Sequence, residues 1–218
     1  ISVEMPGATG AVGGQALAAL VAMPEVERVT VLTRRSLTGS ASKVAAHVVD
    51  AFDPESYRHL LSGHQAAVCT FGVGEPTSVS KAELVRVDKD AVLAFATACK
   101  AAGVRHFELL SAVLANAKSP SHYLRTKGEL GEALAALGFE RLSIFHPSMI
   151  LTPVNRYGWS QGLTLAVWPT FSNIMVGRTR RFRGIPIATL GRAMAVNLVT
   201  PGARVEALHW DEFNALAA

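Results

Sequence analysis

Seven residues near the start of the chain, Gly7-Ala8-Thr9-Gly10-Ala11-Val12-Gly13, constrain its fold more than any other stretch. Ile1 to Pro6 precede them, and apolar residues at Ala16, Leu17, Ala19, Leu20, Ala22 and Met23 follow at helical spacing. A strand, a tight glycine turn and a helix opening at the third glycine offer free backbone N–H groups and the positive end of a helix dipole to a pyrophosphate. A dinucleotide is the first ligand such a turn predicts. Glycine turns are also common in ordinary loops, so the rest of the chain has to supply the context.

That context is a regular alternation of strands and helices. Val29-Thr30-Val31-Leu32-Thr33 is continuous and β-branched, as suits a strand buried on both faces of a parallel sheet, and it ends on Arg34-Arg35. A polar stretch leads to a short apolar run, Ala45 to Val49, closed by Asp50. Asp53-Pro54 then predicts a helix start, with the aspartate as N-cap and proline at the first helical position, and a helix body over Tyr57 to Leu61. Ala66 to Phe71 predicts a fourth strand ending on Gly72-Val73-Gly74. Ser80 to Ala102 predicts one long amphipathic helix stopped by Gly103. His106 to Ser111 is a fifth strand, Tyr123 to Leu137 a helix ended by Gly138, and Leu142 to Phe145 a sixth strand followed by His146-Pro147.

This succession predicts an α/β protein, a doubly wound parallel sheet, in a single domain over residues 1–218. Residues 1–150 form the expected nucleotide-binding core. From about Pro153 the alternation lapses around Trp159, Trp168, Pro169 and Pro186, with one further helix over Ala188 to Val199, so residues 151–218 are expected to form a small substrate-covering lobe. Glu4 and Pro6 are poor residues for a central strand, because proline cannot donate to the ladder, and they predict a short or distorted first strand.

Half of the chain is hydrophobic, yet charges or turn residues interrupt every apolar run before it could span a bilayer. No signal-type segment is evident, and since the sequence opens inside the first strand, a few residues are expected to precede it. Cys69 and Cys99 sit in apolar segments and are expected to be buried thiols in a reducing, cytoplasmic setting. A net charge of +4 is modest, and the basic run from Arg178 to Arg183 is short, which argues against nucleic acid as partner. The expected partner is a small-molecule substrate. A homodimer is compatible with the chain, which does not fix its oligomeric state. The histidines, cysteines and carboxylates show no metal-ligand spacing, and Ser111 lacks a nucleophile elbow.

Two constellations carry chemistry. Arg34 and Arg35 stand at the end of the second strand, where a nucleotide-binding sheet meets the adenosine ribose. Arginines there suit a 2′-phosphate, so NADP is favoured over NAD. Tyr123 and Lys127 are four residues apart, on one helical face about 6 Å apart at the backbone. The ammonium can hold the nicotinamide ribose and favour the phenolate, while the phenol passes a proton to a carbonyl. Three tyrosines and six lysines would give such a pair by chance in about one sequence of ten. Its placement is the stronger signal, because it follows the strand whose carboxyl end carries Ser111, the end at which such sheets bind ligands.

Together these features resemble the short-chain dehydrogenase/reductase superfamily, in its atypical, extended-like branch. The segments Leu84 to Asp90, Arg105 to Ser111 and Tyr123 to Glu129 closely resemble the Tat-interacting-protein-like oxidoreductases, and the resemblance spans nearly the whole chain. It implies an NADP-binding Rossmann fold in which Gly7, Thr9, Gly10, Ala11, Val12 and Gly13 hold the pyrophosphate and Arg34 and Arg35 the 2′-phosphate. Asp50 and Ala51 would flank adenine, Phe71, Gly72 and Val73 line the ribose side, and Pro147, Met149 and Ile150 stand beside the nicotinamide. Tyr123 and Lys127 would take the catalytic positions, with Ser111 orienting the substrate. The superfamily's catalytic serine is often the second of two, where this chain has Ser111-Ala112, and Arg-Pro is replaced by His146-Pro147. His146 is expected to be a packed, hydrogen-bonded residue. The resemblance implies an NADP(H)-dependent oxidoreductase acting on a small carbonyl or alcohol. Its alternative is an NADP(H)-binding sensor without turnover.

Overall fold

A computed structural model describes residues 1–37, 41–152 and 175–218. Seven parallel strands form the main sheet, β1 (Ser2–Pro6), β2 (Arg28–Thr33), β3 (Val44–Val48), β4 (Ala66–Cys69), β5 (His106–Leu110), β6 (Arg141–Phe145) and β9 (Val205–Leu208), in the order β3-β2-β1-β4-β5-β6-β9. The order reverses between β1 and β4. A two-stranded parallel pair, β7 (Ile150–Leu151) with β8 (Ile185–Pro186), stands apart from it. This is the doubly wound Rossmann arrangement expected from the sequence, and its ligand crevice lies at the carboxyl ends of β1 and β4.

Strand alternation divides the interior into two layers. Val3 and Met5 of β1, Val29 and Val31 of β2, Val68 of β4 and Phe145 of β6 face α1 (Ala11–Ala22), α5 (Ile187–Asn197) and α6 (Trp210–Ala217). Ala67, Cys69, Phe107, Leu109, Leu142 and Ile144 pack on the opposite side against α3 (Val92–Ala101) and α4 (His122–Ala136). Helix α1 buries Val12, Gly13, Ala16 and Leu20, one stripe at helical spacing. Its close approach to α5 depends on Gly191, where a Cβ would fall 2.6 Å from that of Gln15 and 2.7 Å from the Ala16 amide nitrogen. Both cysteines are free and buried.

Several elements differ from their sequence-based expectation. The first strand is neither short nor distorted: all five residues of β1 are buried and pair with β2 along their length. Pro6 is tolerated because it closes the strand, where its carbonyl still accepts the Thr70 amide at 3.2 Å. Glu4 is tolerated because burial pushes its carboxyl pKa up to about 9, which keeps it neutral. The helix expected after Asp53 is instead two 3-10 turns, Pro54–Ser56 and Arg58–Leu60, although Asp53 does cap the first by accepting the Glu55 amide at 3.0 Å.

The helix expected over Ser80 to Ala102 begins at its Ser80 cap as α2 (Lys81–Val85), widens into a π-helical segment (Arg86–Ala91) and continues as α3. Of the stretch expected to form a lobe, 153–174 lies outside the described residues. The remainder supplies α5, α6 and β9, and β9 extends the main sheet. Arg141 ties it there, its guanidinium reaching Glu206 Oε1 at 2.6 and 2.9 Å and Asn197 Oδ1 at 2.8 Å, and bonding the Thr200 carbonyl. Among the described residues no helix is long and apolar enough to cross a membrane.

Candidate functional site

The turn between β1 and α1 shows what each glycine does. Gly7 has φ +85°, and a Cβ there would lie 2.6 Å from the Phe71 amide nitrogen; one on Gly13 would lie 2.2 Å from the Gly7 carbonyl oxygen. These two glycines are required by the packing of the turn itself. Gly10 differs: its Cβ would meet only the Gly7 carbonyl, at 3.2 Å, and the residue is exposed. Gly10 is also the N-cap of α1 and provides no side-chain cap, and the first turn, Ala11-Val12-Gly13, holds no acidic residue. The helix N-terminus is left open for an anion that comes close to the backbone.

A pocket of about 290 Å³ runs from this turn, at the small end of the range for ligand sites. Of the expected cofactor residues it brings together Gly7, Thr9, Gly10, Arg34, Ala51, Phe71 and Gly72, and it adds Leu32, Val49, Tyr57, Val92 and Phe95 as an apolar end. Arg34 and Arg35 are both exposed at the end of β2. Arg35 is outside the lining; its amide donates to Thr33 Oγ1 at 3.2 Å, which turns the chain there. Asp50 is likewise outside it and accepts the Phe52 amide at 2.9 Å, shaping the bend that presents Ala51.

Tyr123, Lys127 and Ser111 do not line this pocket, but Gly72, which does, lies next to Lys127. A Cβ on Gly72 would fall 2.6 Å from Asp88 Oδ1 and 3.5 Å from Lys127 Nζ. Asp88 belongs to the π-helical segment. Its Oδ1 lies 2.5 Å from Lys127 Nζ, its Oδ2 accepts the Val73 amide at 3.1 Å, and both side chains are almost wholly buried. Burial pulls the Lys127 pKa down, but Asp88 and Tyr123 more than offset it, so the ammonium is held above its ordinary value. Tyr123 is half-buried; desolvation raises its pKa, Lys127 lowers it and Asp88 raises it again, so the phenol stays protonated around neutrality.

Ser111 is buried at the end of β5, its amide donating to the Phe145 carbonyl at 2.8 Å. Beside it the Ala112 carbonyl accepts the His146 Nδ1–H at 2.8 Å, and the His146 ring stacks on His209 with centroids 5.2 Å apart. Burial lowers the His146 pKa, and the neighbouring His209 lowers it further against the Ala112 bond; His146 is the packed, hydrogen-bonded residue expected. The Pro147 carbonyl accepts the Val113 amide at 2.8 Å, the Met149 carbonyl accepts the Ile185 amide at 2.9 Å, and Ile150 enters β7. These three therefore follow the carboxyl end of β6 but do not line the pocket.

The matched sequence model decides the family: the NAD(P)H-binding family covers residues 7–140. The chain belongs to the NAD(P)H-binding family. It is 33% identical over 204 residues to Protein HTATIP2 of Rattus norvegicus, which covers 92% of this chain and 82% of that protein. It is also 31% identical over 155 residues to Protein fmp52, mitochondrial, of Emericella nidulans, covering 68% of this chain and 66% of the relative. Among solved structures, MoeE5 in complex with UDP-glucuronic acid and NAD superposes with a TM-score of 0.73 over 95% of this chain and 75% of that one, at 15% identity. That likeness is one of fold. The resemblance to Tat-interacting-protein-like proteins is thereby borne out.

Within this NAD(P)H-binding fold, Asp88 is the site residue that motif spacing did not reveal. A signal was present: Leu84, Asp88, Val92 and Phe95 share one helical stripe, so an acid falls among positions that are otherwise apolar and buried.

Proposed function

We propose that the protein is an NADP(H)-dependent oxidoreductase that interconverts a small carbonyl compound and its alcohol. The observation that carries this reading is a pocket lined by Arg34, the open Gly10 turn and Gly72, the last of these beside Asp88 and Lys127. A dinucleotide fits the residues present. Gly10 leaves room for backbone to approach a pyrophosphate, the uncapped amides of α1 can donate to it, and Arg34 with Arg35 offers charge to a 2′-phosphate.

The bound nicotinamide would supply or accept the hydride. Tyr123 Oη would donate its proton to the carbonyl oxygen in reduction and recover it in oxidation. Lys127, kept charged by Asp88, would hold the ribose hydroxyls and stabilise negative charge on Tyr123 Oη. Ser111 would orient the substrate oxygen from the end of β5, and Pro147 to Ile150 would border the ring. A protonated phenol around neutrality suits reduction better than oxidation.

The experiment is NADPH consumption against a panel of aldehydes and ketones, with Tyr123→Phe as control. The reading requires turnover by the wild type that the variant loses while its NADPH affinity holds. Tight NADPH binding without turnover of any carbonyl favours the second reading, a sensor of the NADP(H) pool. One observation speaks for the sensor: Asp88 already occupies the ammonium that would otherwise activate Tyr123. The proposed compartment is cytoplasmic, resting on two buried free thiols, whereas a fungal relative carries mitochondrial in its name. Imaging of a fluorescent fusion to the full-length protein tests it.

A further inference from the structure

The chain just past Ser111 is held by a bond that the sheet itself cannot supply. Beyond β5 the backbone keeps running beside that of β6: the Ser111 amide donates to the Phe145 carbonyl and the Val113 amide to the Pro147 carbonyl, each at 2.8 Å. A parallel ladder in this register would run its return bond from residue 147 to the Ser111 carbonyl, and Pro147 has no N–H to make it. His146 Nδ1 supplies a tie one residue on, donating to the Ala112 carbonyl at 2.8 Å. A carbonyl only accepts, so Nδ1 carries the proton in either charge state of the ring. The histidine is itself fixed from β9, where the Leu208 carbonyl accepts its amide at 2.8 Å and the His209 ring stacks on it.

The same Ala112 carbonyl accepts the Ala115 amide at 3.2 Å, closing a turn in which Leu114 has φ +62°. Leu114 is the one non-glycine residue with positive φ among the described residues, and it is 52% exposed, so its own packing does not impose that conformation. Strain of this kind persists only where the surroundings dictate it, and here the bonds gathered on Ala112 and Val113 do so. Ser111 stands at the entrance to this turn and holds the only hydroxyl of the Ser111-Ala112 pair. We propose that His146 is a positioning residue for carbonyl reduction: its Nδ1–H holds the Ala112 carbonyl and thereby fixes where the Ser111 hydroxyl stands. The inference rests on the oxidoreductase reading, in which Ser111 orients the substrate oxygen.

His146→Asn and His146→Leu separate the bond from the bulk of the ring. An asparagine amide nitrogen falls where Nδ1 lies and can still donate to Ala112, whereas leucine fills the space without a donor. Each is made alone and together with Ser111→Ala, and urea unfolding shows which variants fold. Where His146→Leu does not, His146→Gln takes its place, its amide nitrogen falling at the Nε2 end of the ring. The readouts are NADPH affinity by calorimetry and kcat for reduction of a carbonyl that the wild type accepts. His146→Leu should lower kcat about 100-fold with NADPH affinity unchanged, as a misplacement of about 1 Å at an orienting group does. His146→Asn should keep most of the wild-type kcat, and on top of Ser111→Ala the leucine substitution should cost nothing further. Undiminished kcat in His146→Leu, or equal losses in the two variants, overturns the proposal. So does a full further loss on top of Ser111→Ala, which marks a general structural role. A wild type that binds NADPH and reduces no carbonyl overturns the oxidoreductase reading, and the proposal falls with it.

Discussion

Lys127 Nζ lies 2.5 Å from Asp88 Oδ1, and the carboxylate's other oxygen holds the Val73 amide, so one buried acid fastens the loop after β4 to the helix that carries Tyr123. Asp88→Asn keeps the shape and an acceptor but leaves the ammonium buried without its counter-charge. Breaking a buried pair in this way should destabilise the fold by about 3–5 kcal/mol, read from urea unfolding. Because Asp88 raises the Tyr123 pKa and Lys127 lowers it, the variant's phenol should ionise at lower pH. Ultraviolet titration, with Tyr123→Phe as the blank, would show that shift. An unmoved titration would mean that Asp88 does not influence Tyr123.

Gly10 and Gly13 make a matched pair of substitutions. Alanine at Gly10 meets only the Gly7 carbonyl at 3.2 Å, and its φ of −74° is ordinary, so unfolding should change by less than about 1 kcal/mol. Affinity for NADPH should nevertheless fall roughly tenfold or more, because the methyl occupies the path of the pyrophosphate. Alanine at Gly13 would press 2.2 Å from backbone, and should cut stability severely. Equal nucleotide affinity in wild type and Gly10→Ala would remove the pyrophosphate from this turn.

The strands and the Tyr123 to Lys127 pair were legible because their signals are local. Val29 to Thr33 is continuously apolar or β-branched, Gly103 and Gly138 stop their helices with positive φ, and four-residue spacing places two side chains on one face. What was not legible depends on distant partners. Strand β9 is four residues whose place is set by Arg141, which bonds Glu206 from 65 positions away in the chain. The π-helical widening contains Asp88, which meets Lys127 some forty positions on, and no local preference of Arg86 to Ala91 announces it. Glu4 reads as a breaker of a central strand until its neutral form is recognised. The individual pocket residues could be named, but their continuity from Arg34 to Gly72 is a property of packing.

Arg34 and Arg35 can be tested for their part in cofactor choice. Replacing both with alanine should weaken NADPH by about 10- to 150-fold, corresponding to a charged hydrogen bond of about 1.5–3 kcal/mol, while NADH affinity changes little. Both side chains are exposed at the end of β2, so stability should stay within about 0.5 kcal/mol. Parallel losses for the two nucleotides would place the 2′-phosphate elsewhere.

Glu4 offers a stability prediction independent of any ligand. Its carboxyl is fully buried, with Oε1 3.2 Å from His64 Nδ1, while His64 also faces the Leu61 carbonyl and Thr30 Oγ1. Burial raises the Glu4 pKa to about 9, with Arg28 opposing, and burial lowers that of His64, so the pair is neutral at pH 7. The unfolded chain ionises Glu4 from about pH 4.5, so the stability tied to this proton is complete below that pH and is lost as pH rises toward 9. At pH 7 the loss amounts to about 3 kcal/mol, and the slope is about 1.4 kcal/mol per pH unit. Glu4→Gln keeps the neutral shape and removes the titration. It should therefore unfold at higher urea concentration than the wild type at pH 7, with the difference growing at pH 8.5 and vanishing near pH 4.5. Glu108, buried and raised in the same sense, leaves a residual decline in both proteins. A wild type and variant with parallel pH profiles would mean that Glu4 ionises in the fold as it does in water.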